Sequence, residues 1–105
     1  VNGHSYAYEI KTRFDTLDRL NKQLSDYLLA FEYVYVVCSL EKENEVLAII
    51  PQEVGLFVYD DKKKNPVFIQ KKEASFSPFI NSFLPFHTRQ EGNLRKIRVL
   101  RDINR

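Results

Sequence analysis

The sequence predicts an α/β domain, a mixed central sheet with flanking helices, on three observations. Residues 4–11 alternate in the manner of a strand. Residues 16–32 carry Leu17, Leu20, Leu24, Tyr27, Leu28 and Phe31 at three-and-four spacing, the periodicity of an amphipathic helix. Residues 33–39 form a nearly all-apolar run, expected of a strand covered on both faces.

Taken in order, Asn2-Gly3 is the dipeptide favoured in a tight hairpin turn. The strand from His4 to Lys11 follows it, so a further strand, and a helix before it, are expected upstream of Val1. Asp15 or Thr16 suits the N-cap of the helix, and Asp18 suits its positive dipole end. Asn44 to Ile50 fits either a short helix or a strand, and Pro51 ends it. Val54 to Tyr59 and Pro66 to Gln70 read as strands joined by the charged turn Asp60 to Asn65. Residues 78–86 are apolar and suit a short helix or packed loop. Leu94, Ile97, Leu100 and Ile103 lie three apart and predict a final amphipathic helix from Leu94 to Asn104.

The chain has 105 residues, 44% hydrophobic and 29% charged, enough for one domain with one core. No apolar run reaches the roughly 20 residues of a membrane span, so no membrane partner is expected. The single cysteine, Cys38, ends an apolar β-like run and reads as a core residue. One thiol fits a reducing compartment, and a cytoplasmic location is expected. The net charge of +2 is unevenly spread. Residues 1–86 hold 10 Lys and Arg against 12 Asp and Glu, a net of −2; residues 87–105 hold 6 against 2, a net of +4.

The chemistry-bearing segment is Tyr8-Glu9-Ile10-Lys11. Strand alternation puts Glu9 and Lys11 on one face, with Tyr8 and Ile10 on the other. A carboxylate beside an ammonium can hold a divalent cation and orient a water for phosphoryl chemistry, or can be a surface ion pair. Gln23 and Tyr27 lie one turn apart on the following helix, Gln23 at the flank of the apolar stripe and Tyr27 nearer its centre. They can be site residues, or a solvated amide and a core phenol.

Together, Glu9-Ile10-Lys11, Asp15-Thr16-Leu17, Gln23-x-x-x-Tyr27, the apolar strand from Tyr33, Ile50-Pro51 and Gly55-Leu56 resemble the RecB-like branch of the PD-(D/E)XK nucleases. The likeness covers about residues 4–59 and is nearest to small bacterial DNA-repair and phage-associated members. It implies a restriction-endonuclease-like core, partial here, over residues 1–86, with 87–105 a basic helical segment of the same domain. It implies that Glu9 and the carbonyl of Ile10 bind Mg²⁺ or Mn²⁺, and that Lys11 assists an attacking water. Glu9 and Lys11 would be catalytic, with Gln23 and Tyr27 lining the nucleic-acid strand. The family's other carboxylate would stand upstream of Val1, and without it the chain would be inactive alone.

Arg98, Arg101 and Arg105 fall near one another around a helix, which suits either phosphate contact or a solvated face. Lys62-Lys63-Lys64 reads as a soluble hairpin tip. Tyr6, Tyr8, Tyr33 and Tyr35 suit base stacking or, more often, packing. His4 and His87 belong to no metal-ligand spacing. The leading expectation is therefore a divalent-metal-dependent nuclease acting on DNA, less so on RNA. Its alternative is a catalytically inactive module binding nucleic acid or protein; a protein partner or a homodimer suits either. A third reading is an interaction domain in which Glu9 and Lys11 are a surface pair.

Overall fold

Strand β1, Ser5–Lys11, alternates buried and half-buried positions along its whole length, the signature of a strand with unlike faces. A computed structural model describes residues 3–81 and the strand Ile97–Arg101. After β1 come helix α1 (Leu20–Ala30), strand β2 (Tyr33–Ser39), helix α2 (Glu43–Ile49) and strands β3 (Gly55–Tyr59), β4 (Ile69–Lys72) and β5 (Ile97–Arg101). The sheet order is β4-β3-β2-β1-β5. β1, β2 and β3 are mutually parallel neighbours, while β4 and β5 run antiparallel at the two edges. The α/β class with a mixed sheet is thus what the chain adopts.

Helix α1 starts later than the expected residue 16. The side chain of Asp15 does not cap it. Its Oδ2 instead accepts hydrogen bonds from the Thr12 amide at 2.7 Å and the Thr12 hydroxyl at 3.0 Å, closing a tight turn after β1. The helix then opens at Arg19 without a side-chain cap and closes where the Phe31 amide meets the Tyr27 carbonyl at 2.8 Å. The ambiguous stretch 44–50 is helical. Ser39 Oγ accepts from the Glu41 amide, and Glu43 and Glu45 sit in the first turn, where the helix dipole favours negative charge. Ile50, which precedes Pro51, is extended and stops it.

The core lies on one side of the sheet. Ala7 of β1, Val34, Val36 and Cys38 of β2, and Leu56 and Val58 of β3 pack against Leu20, Leu24, Tyr27 and Leu28 of α1 and Val46 of α2. Both crossover helices therefore cover the same face, as right-handed connections require when strands are added in one direction. β2 is the central strand and is buried or half-buried along its whole length, as its apolar run led one to expect, but helices cover only one of its faces. Its other face belongs to an aromatic surface.

Gly55 is required where β3 passes beneath Tyr35. A Cβ there would collide with the Tyr35 ring and stand 2.7 Å from the Ala74 backbone nitrogen. Toward the same amino-terminal end of the parallel strands, Glu32 Oε1 accepts from the Ser5 amide at 2.9 Å and contacts His4 Nδ1 at 3.1 Å, and Ser5 Oγ accepts from the Glu32 amide. These bonds fix the start of β1 against the start of β2.

The predicted helix from Leu94 to Asn104 is corrected at its centre. Ile97–Arg101 is a strand, paired antiparallel with β1 from Ser5↔Arg101 to Glu9↔Ile97. Three-residue spacing of apolar positions suggested a helix. Ile97-x-Val99 also alternates β-branched residues, and the open edge of β1 supplies partners for their backbone. The rest of 87–105 lies outside the described residues, as do residues 1–2 of the expected hairpin turn and 82–86 of the apolar stretch.

Candidate functional site

The face of β1 toward α1 carries Glu9 and Lys11, on one side as strand alternation requires. Both are interior: Glu9 is 0% and Lys11 3% exposed. Lys11 Nζ stands 3.6 Å from Glu9 Oε2, and the Tyr27 hydroxyl donates to Glu9 Oε1 at 2.8 Å. Burial, then the hydrogen bond to Glu9 and its charge, push the Tyr27 phenol well above its ordinary value. The hydroxyl is thereby held as a donor. Gln23, also buried, lies one turn before Tyr27, and its Oε1 has no hydrogen-bond partner among the described residues. The sequence placed Glu9, Lys11, Gln23 and Tyr27 together on one side of the sheet, and the structure does so. What spacing did not reveal is that α1 closes over them.

The remaining expected positions fall elsewhere. Ile10 lies in the parallel ladder opposite Val37. The side of β1 where an upstream strand would bring a second carboxylate is occupied by β5, and the residue paired with Glu9 there is Ile97. Among the described residues, no three His, Cys, Asp or Glu side chains are grouped to hold a metal ion. Arg98 and Arg101 lie on β5, in register with Tyr8 and Ser5, so the expected helical stripe does not form between them. Cys38 is buried, as read from its apolar run, and its thiol is pushed up to about 12 by desolvation and by the charge of Glu43.

The opposite face of the sheet holds an aromatic surface whose extent the sequence reading underweighted. Tyr6 stacks on Tyr33 at 5.1 Å and Tyr8 on Tyr35 at 5.5 Å, with ring planes within 22° and 13°. Phe57 tilts against Tyr35 at 5.0 Å, and Phe68 meets Tyr59 edge-on at 5.5 Å. Tyr8, Ile10, Val37, Phe57, Tyr59 and Phe68 line a groove of about 470 Å³. The available signal was the repeated alternation Tyr6/Tyr8, Tyr33/Tyr35 and Phe57/Tyr59 in three strands.

At the carboxyl ends of the parallel strands, Arg13 reaches Glu41 at 3.8 Å and Asp61 at 3.5 Å, and Lys62 reaches Glu41 at 3.4 Å. Among the described residues, no helix is long and apolar enough to cross a membrane.

Comparison with known proteins corrects the nuclease reading. The family model described as Bacteriophage P4 protein cII matches residues 1–102. Protein cII of Enterobacteria phage P4 is 36% identical over 84 residues, which are 80% of this chain and 32% of that protein. The chain thus spans about a third of the length of this curated relative. No solved structure matches. The likeness to PD-(D/E)XK nucleases rested on Glu9-x-Lys11 and Gln23-x-x-x-Tyr27, which form a closed polar cluster under α1. The expected nuclease, hydrolase and metal-binding identity falls with it, overturned by a family match across nearly the whole sequence. The chain belongs to the bacteriophage P4 protein cII family.

Proposed function

We propose that this chain is a catalytically silent binding module whose partner is a protein. One observation carries the reading. The carboxylate and amine that chemistry would need are buried beneath α1 as an ion pair, the carboxylate accepting from Tyr27, while the opposite sheet face is an aromatic surface. A protein suits that surface better than a nucleic acid does. Bases stack on free ring faces in a positively charged groove. Here the tyrosine rings lie on one another, and residues 1–86 carry a net of −2. Aromatic, amphipathic surface is characteristic of protein interfaces. The buried thiol of Cys38 accords with a reducing, cytoplasmic setting.

The concentration of charge in 87–105, a net of +4, favours a second reading: DNA, or RNA less so, contacted through Arg98 and Arg101. Labelled single- and double-stranded DNA, incubated with the chain in Mg²⁺ or Mn²⁺, tests both. Intact DNA with no salt-dependent anisotropy change supports the protein-binding module. Uncut DNA bound with a steep salt slope that Arg98→Glu/Arg101→Glu abolishes supports the second reading. Cleavage that Glu9→Ala abolishes sinks both.

A further inference from the structure

Strand β4 closes one side of the sheet. It pairs with β3, and among the described residues no other strand follows it in the sheet order. An edge strand presents a row of outward backbone donors and acceptors that only another extended segment satisfies. The stretch that leads into and forms this edge, residues 62–72, reads Lys-Lys-Lys-Asn-Pro-Val-Phe-Ile-Gln-Lys-Lys: an apolar centre between two basic ends, of which Ile69–Lys72 is the strand, with Asp61 and Glu73 adjoining it. Its centre is bare. Val67 is 70%, Phe68 58% and Ile69 55% exposed.

The lysines divide into two groups. Lys62 reaches Glu41, and Lys71 reaches Glu43 at 3.6 Å. Lys72 donates to the neutral Pro51 carbonyl at 3.0 Å. Lys63 and Lys64 are exposed at the tip. Positive charge thus stands at both ends of the apolar triad. Phe68 also forms part of the wall of the aromatic groove, so a side chain from an added strand near Phe68 meets the mouth of that groove.

We propose that the β4 edge binds an extended protein segment with an apolar centre and acidic flanks, which adds to the sheet as a strand antiparallel or parallel to β4. Charge selects the occupant. A second copy brought to this edge gathers Lys71 and Lys72 of both chains, with the turn lysines beside them, and like charges held close are unfavourable. Edge lysines commonly keep copies of a chain apart. An acidic strand meets no such barrier. This inference deepens the binding-module reading and rests on it.

The probe is a fluorescein-labelled peptide, Glu-Asp-Val-Thr-Val-Thr-Val-Asp-Glu, titrated into the full chain by anisotropy, with amide hydrogen exchange read in parallel. Saturable binding is expected, with slowed exchange at Ile69–Lys72. Affinity should fall roughly ten-fold or more when the acidic flanks become lysine, and likewise on Lys63→Glu/Lys64→Glu, which alters only exposed side chains. The proposal is overturned by absent binding, by equal binding of the lysine-flanked peptide, or by protection confined to other strands. It is overturned equally by a chain that sediments as a dimer with its β4 amides already protected, or by an oligothymidylate displacing the peptide from the same amides. Any of these leaves the silent-module reading standing; metal-dependent cleavage of DNA would remove that reading instead.

Discussion

The Tyr27 hydroxyl and the Glu9 carboxylate, 18 positions apart in sequence, meet at 2.8 Å inside the fold. The bond joins the last turn of α1 to the middle of β1, and Lys11 completes the group from the next position on the same face. A buried carboxylate is tolerated only when its charge is balanced and its oxygens are hydrogen-bonded. Here the strand supplies the counter-charge, Lys11, and the helix supplies the hydrogen bond to Oε1.

Removing one member should therefore be worse than removing the pair. Glu9→Ala leaves the Lys11 ammonium buried without its counter-charge, and a loss of about 3–5 kcal/mol is expected. Replacing both, as Glu9→Leu/Lys11→Met, should cost far less or stabilise the chain. Urea unfolding of the three proteins measures this. A loss in the double variant larger than in Glu9→Ala would show that the two charges are not coupled.

Tyr27→Phe removes the donor to Glu9 Oε1 while keeping the ring, and should destabilise by about 1–3 kcal/mol. It also carries a pH signature. The folded phenol titrates above its ordinary value of 10.0, so the folded state holds this proton more tightly than the unfolded state does. Its contribution is complete below pH 10 and is lost as the pH rises above it. Thermal midpoints should fall more steeply above pH 10 in the parent chain than in Tyr27→Phe. Parallel slopes would assign the alkaline loss elsewhere, Tyr8 and Tyr59 being raised as well, chiefly by burial.

Gly55→Ala should cost about 1–3 kcal/mol, because the added methyl meets the Tyr35 ring and the Ala74 backbone. Tyr35→Leu in the same chain should recover part of that loss, since it removes one of the two obstacles. A double-mutant cycle in urea reads the coupling. Strict additivity would mean that the Ala74 backbone alone sets the limit.

Cys38 should be inert to Ellman's reagent at pH 8 in the folded chain and react at once in denaturant. Its thiol is pushed up to about 12 and is buried. Rapid labelling without denaturant would show that α2 opens readily from the sheet.

Much of the fold was legible because local pattern and tertiary structure agree. Alternation gave β1, three-and-four spacing gave α1, and the apolar run gave β2 almost to the residue. The start of α1 was misjudged because Asp15 had two competing uses, helix cap or turn closure, and the Thr12 amide decided it. The segment 97–101 was misread because isolated periodicity cannot report an available sheet edge. The site was legible as a set of neighbours but not as an interior. Glu-x-Lys on a strand and Gln-x-x-x-Tyr on the next helix are also what packing a helix over a buried carboxylate demands. The same spacing therefore serves nucleases and silent cores alike. The aromatic face was visible as alternation, but only the register of Tyr6 on Tyr33 and Tyr8 on Tyr35 assembles it.

The placement of both crossover helices on one face has a topological corollary. In open α/β sheets, small ligands settle where neighbouring connections leave the sheet in opposite directions and a crevice opens between them. From β1 through β2 to β3, strand order advances one way and both connections depart to the same side. This run of parallel strands generates no such crevice. The architecture offers a broad aromatic face and a strand edge in its place.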